Sequence, residues 1–82
     1  MNASMQEVRN WALAGGQHTF ADLAAHLNGL GIRTSYGVPY RGGRGTAKLV
    51  SMTHRALTNS GQLPVARIVA RAYTRKNGGF AY

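Results

Sequence analysis

The sequence has no cysteine, which excludes disulfides, thiolate zinc sites, iron–sulfur clusters and cysteine nucleophiles together. Acid is almost as scarce. Glu7 and Asp22 are its two carboxylate side chains, too few for a multi-carboxylate two-metal nuclease site or a glycosidase pair. No stretch approaches the ~18 consecutive apolar residues that span a bilayer, and the N-terminus has neither the basic segment nor the apolar core of a signal peptide. His18, His26 and His54 form no ligand motif such as HExxH, so no catalytic residue, metal or cofactor is assigned. These absences predict a soluble, cytoplasmic protein that is not an enzyme.

At 82 residues the chain has room for one small domain, residues 1–82, which buries about 60 to 65% of its unfolded surface. At 44% hydrophobic residues it is too apolar to be wholly disordered. The core is expected to be thin, and self-association into a dimer would supplement it.

The basic residues outnumber the acidic ones by ten to two, and the net charge is +8. Their placement is lopsided. Through residue 32 the chain carries Glu7, Asp22 and Arg9; the other nine basic residues, from Arg33 to Lys76, share the remaining stretch with no carboxylate. A field of this kind attracts phosphate, so nucleic acid is the first candidate partner. RNA or an acidic host protein is the alternative.

Hydrophobic spacing divides the chain into helices. Met5, Val8, Trp11 and Ala12 form the stripe of a first helix that Gly15 and Gly16 end. Thr19 offers an N-cap hydroxyl, Asp22 completes a capping box, and Phe20, Leu23, Ala24 and Leu27 form a second stripe, ending near Asn28 and Gly29. Residues 31–45 hold five glycines and Pro39 with Tyr36 and Tyr40 interleaved, which reads as an ordered loop or short hairpin. Thr46 caps a third helix over 46–60, with Leu49, Val50, Met52, Thr53, Ala56 and Leu57 inward, stopped by Ser60, Gly61 and Pro64. Val65, Ile68, Val69, Ala72 and Tyr73 mark a fourth helix ending at Asn77 and Gly78, with a short extended tail at residues 79–82. The expected class is therefore mainly α: about four helices with a helix-turn-helix-like centre, and a short β-hairpin or an extended C-terminal tail.

Lys48, Ser51 and Arg55 share one side of the third helix at about 100° per residue, and Thr58 lies beside it. Such a face is equipped for the major groove of duplex DNA, where Arg forks onto guanine and Lys or Ser holds phosphate. Arg41 and Arg44, in the Arg-Gly run before this helix, would approach a phosphate at its N-terminus. Arg67, Arg71 and Arg75 recur every four residues on the fourth helix and would grip backbone phosphates. Tyr36, Tyr40, Phe80 and Tyr82 offer stacking surfaces for single strands as an alternative, or close a small core, whereas Tyr73 sits on a core stripe.

Residues 20–57 carry a resemblance. Phe20 through Asn28, then Gly31, Ile32, Arg33 and Thr34, then Gly37 and Tyr40, then a helix with Val50 and Leu57 resemble the DNA-binding region of large serine recombinases. Tyr40 stands where that family prefers tryptophan, and residues 41–45 are additional. With no catalytic serine domain and no cysteine zinc ribbon, the resemblance implies a separate DNA-binding domain and not a recombinase. The combined expectation is a small basic DNA-binding protein of a bacterium, phage or plasmid, a transcriptional regulator or accessory DNA-organising factor associated with the nucleoid.

Overall fold

Asn2 starts the first helix by accepting the Met5 N–H at 2.9 Å, and α1 then runs Ala3–Leu13. Two glycines with positive φ, Gly15 and Gly16, turn the chain into a two-residue strand, β1 (His18–Thr19). The computed structural model describes residues 1–74. Its remaining elements are α2 (Phe20–Gly29), α3 (Arg44–Asn59), α4 (Leu63–Ala72) and a strand β2 (Tyr73–Thr74). The described residues are mainly α, with four helices, as the apolar spacing predicts. None of the described helices is long and apolar enough to cross a membrane.

The capping box read from Thr19 and Asp22 is present in both directions. The Asp22 N–H donates to the Thr19 hydroxyl oxygen at 3.0 Å, and the Thr19 N–H donates to the Asp22 carboxylate at 3.2 Å. At the other end the Ile32 N–H reaches back to the Leu27 carbonyl at 3.0 Å across Gly31, whose φ is 77°. The same device closes α3, where the Gln62 N–H donates to Leu57 across Gly61.

α3 touches all three other helices and supplies the centre of the core. Leu49, Val50 and Leu57 pack with Val8 and Ala12 of α1, Phe20, Leu23 and Leu27 of α2, and Ala66, Val69 and Ala72 of α4. Two threonines are fully buried within α3 and are satisfied locally: Thr53 donates to the Leu49 carbonyl at 2.8 Å and Thr46 to the Gly43 carbonyl at 3.2 Å.

Four expectations are corrected. α3 begins at Arg44, two residues before Thr46, because Gly43 adopts φ 96° as the N-cap and turns the chain without a side-chain cap. Met52 is not inward; it is 43% exposed, because the phase set by Val50, Thr53 and Leu57 places it on the same side as Lys48. Ile68 is likewise 41% exposed, and Ala66 takes the buried place on α4. Finally, α4 ends at Ala72, ahead of Asn77 and Gly78. Tyr73 is extended (φ −121°, ψ 129°) and pairs in parallel with His18, while Thr74 pairs with Thr19. The tail expected at residues 79–82 lies outside the described residues.

Tyr73 explains that early stop. Its ring is completely buried and its hydroxyl donates to the Val8 carbonyl at 2.6 Å, a position that continued helix could not deliver while also pairing with β1. Burial first, and the nearby Glu7 carboxylate second, push this hydroxyl's pKa well above the ordinary tyrosine range.

Candidate nucleic-acid interface

The exposed side of α3 is set by the same phase that fills the core. Arg44, Lys48, Met52 and Arg55 project from it, and Ser51 is half-buried beside them. Arg44, Lys48 and Met52 recur every four residues and form a ridge between two grooves, both of which they line. The smaller groove, about 400 Å³, runs along the ridge toward α2 and includes Phe20, Ala47, Ser51 and Arg55. The larger, about 1240 Å³, lies between the ridge and the loop at residues 31–42.

That loop is anchored at its base by the α2 side chain Asn28. Its amide donates to the Tyr40 carbonyl and its side-chain oxygen accepts the Tyr40 N–H, both at 2.8 Å. The Tyr40 hydroxyl donates to Ser4 Oγ on α1, also at 2.8 Å. Gly42 then crosses the start of α2 so closely that a Cβ there would sit 2.8 Å from the Ala21 Cα. These contacts fix one wall of the larger groove, and the loop is ordered without forming a β-hairpin.

The electrostatics of this side are one-signed. Arg33, Arg41, Arg44 and Lys48 line the larger groove, and neither carboxylate lines either groove. Both are engaged elsewhere: Asp22 in its capping box, and Glu7 with His26 at 2.8 Å.

The site residues expected from sequence separate into two groups. Arg41, Arg44 and Lys48 meet at the larger groove, and Ser51 and Arg55 with Arg44 and Lys48 at the smaller one. Arg67 and Arg71 are exposed on α4 but line neither groove. Arg75 lies outside the described residues. Arg33 and Met52, which also line the larger groove, were missed, and Tyr36, expected as a stacking surface for single strands, lines the same groove. The available signal was the tyrosine between Thr34 and Gly37, a turn composition that holds an aromatic at a loop tip.

A second cluster involves the histidines. The Trp11 ring is stacked between His18 (centroids 3.6 Å apart) and His26 (4.0 Å), and Tyr73 is tilted against Trp11 and His18. His18 Nε2 is buried without a hydrogen-bond partner. Among the described residues no group of three His, Asp or Glu side chains is placed to hold a metal ion. This cluster joins α1, β1, α2 and β2 and stands apart from both grooves.

Comparison with family models, with curated proteins and with solved structures finds no match.

Proposed function

We propose that this chain is a small duplex-DNA-binding protein, a transcriptional regulator or accessory DNA-organising factor of a bacterium, phage or plasmid, that places α3 in the major groove. The observation that carries the reading is the ridge of Arg44, Lys48, Met52 and Arg55 on an exposed helix face with no carboxylate on either side. The major groove is about 12 Å wide and admits one helix. A helix that stands out between two grooves presents the corresponding relief, and its four side chains supply forked donors, a point charge and an apolar contact for base edges. The resemblance of residues 20–57 to the DNA-binding region of large serine recombinases supports the same assignment of α2 and α3. Arg67 and Arg71 then act as backbone contacts at a separate patch, adding affinity without sequence choice.

Selection from random duplexes at moderate salt tests this reading. An enriched motif is expected, together with a fall of log K with log salt of slope about −4 to −5, the value for roughly four to six neutralised phosphates. A flat salt response, or equal binding to every duplex, would remove the reading. Tighter binding to RNA or to an acidic protein than to any duplex would replace it.

A further inference from the structure

The larger groove has two unlike walls, and Asn2, Ala3 and Ser4 at the start of α1 also line it. One is the α3 ridge. The other is the loop, whose tip is a built turn: the Thr34 N–H donates to the Val38 carbonyl and the Gly37 N–H to the Thr34 carbonyl, both at 2.9 Å. The Thr34 hydroxyl oxygen accepts the N–H groups of Tyr36 at 3.3 Å and Val38 at 3.4 Å. With its base held by Asn28, the loop is braced at both ends, yet Tyr36 at its tip is 91% exposed. A large aromatic kept in water by a turn this well bonded is a contact residue in want of a surface. Arg33, three residues earlier, lines the same groove, its guanidinium anchored by the carbonyls of Asn28 and Ile32 at 3.3 and 3.2 Å.

Resting on the duplex-DNA reading above, we propose that the larger groove seats one sugar–phosphate strand, and that the turn crosses this strand so that Tyr36 enters the adjacent minor groove. The geometry follows from the order of parts. A helix in the major groove is bordered by a backbone on each side, and what lies beyond either backbone is minor groove. Here the order is α3 ridge, groove, loop tip. The strand in the groove is met by cations from both walls, Arg44 and Lys48 on the helix and Arg33 and Arg41 on the loop, with no carboxylate to repel it. The smaller groove, lined by α3 and by Phe20 of α2, takes the opposite strand.

The ligand chemistry at the tip is then specific. The minor groove of A·T pairs offers acceptors alone, whereas guanine adds an amino group that obstructs an incoming arginine or ring. A·T-rich steps also narrow this groove and deepen its negative potential. Tyr36 should therefore favour A·T pairs about five base pairs, half a helical turn, from the centre read by α3.

The test uses the full chain and duplexes carrying the selected site, with the flanking pairs made A·T, G·C or inosine·C on each side in turn. Inosine·C keeps the G·C pattern in the major groove and lacks the guanine amino group in the minor groove. The A·T and inosine·C duplexes are expected to bind alike and roughly tenfold more tightly than G·C. Tyr36→Ala should erase most of that difference while leaving the preference for the selected centre and the thermal midpoint in place. If inosine·C behaves as G·C, or if Tyr36→Ala leaves the discrimination unaltered, the loop does not read the minor groove and the placement of α3 is untouched. If the wild-type chain fails to distinguish the selected centre from random duplexes, both readings fall together.

Discussion

Asn28 and Tyr40, twelve residues apart, are joined by two 2.8 Å hydrogen bonds in which one side-chain amide pairs with both backbone groups of the other residue. This pairing substitutes for a β-ladder and closes a glycine-rich loop onto α2 without any regular structure in the loop itself. It is what makes the larger groove a shaped surface.

Asn28→Ala removes both bonds and leaves the Tyr40 backbone groups, part-buried, without their partners. A loss of about 1 to 3 kcal/mol is expected, and the Tyr40 amide should exchange with solvent far faster than in the wild-type chain. Denaturant melts with hydrogen exchange at Tyr40 check this. Unchanged protection there would show that the loop is held by other contacts.

Two glycines three residues apart should respond oppositely to alanine. At Gly42 the added Cβ meets the Ala21 backbone, which has no side-chain rotation to relieve it, so Gly42→Ala is expected to cost about 1 to 3 kcal/mol. At Gly45, inside the first turn of α3, a Cβ meets nothing within 4 Å. Gly45→Ala is expected to stabilise by about 0.5 to 1 kcal/mol through helix propensity. Paired thermal melts decide both.

Tyr73 gives the protein an alkaline limit. A folded-state pKa raised above the unfolded value near 10 means that the contribution is complete below about pH 10 and is lost as pH climbs toward the folded value. Stability should therefore fall above about pH 10, with Tyr73 forming tyrosinate later than an ordinary tyrosine or only on unfolding. Tyr73→Phe removes the bond to the Val8 carbonyl, at a cost of about 1 kcal/mol near neutral pH, and should flatten that alkaline fall. Melts across pH 8 to about 11, followed at a tyrosinate wavelength, measure it. An alkaline fall as steep in Tyr73→Phe would place its origin elsewhere.

What the sequence made legible was local. The Thr19–Asp22 capping box and the positive-φ stops at Gly16, Gly31 and Gly61 act over a few residues, so composition alone locates the helices they bound. Tyr73 was read as the end of a helical stripe because its competing interactions come from far away: the strand partner His18 is 55 positions earlier, and the hydroxyl acceptor is on Val8. Gly43 hid the start of α3 because a glycine N-cap leaves no side-chain signature. Met52 was assigned inward on hydrophobicity, whereas the phase fixed by Thr46, Thr53 and Leu57 turns it outward. Arg33 escaped because the loop's shape is dictated by Asn28, a residue outside the loop, and no period in the loop announces it.

The most direct test of the account is a paired affinity measurement on Arg55→Ala, with Arg71→Ala as its control. Arg55 is exposed on α3 beside the smaller groove, opposite the buried Leu49, Thr53 and Leu57, so its removal should leave the thermal midpoint in place. The predicted result is a loss of about 1 to 3 kcal/mol on the selected duplex and much less on random duplexes. Arg71→Ala should weaken both duplexes equally and lower the salt slope by about one. Equal losses on both duplexes from Arg55→Ala would contradict the account, making Arg55 a phosphate contact and taking sequence reading away from α3.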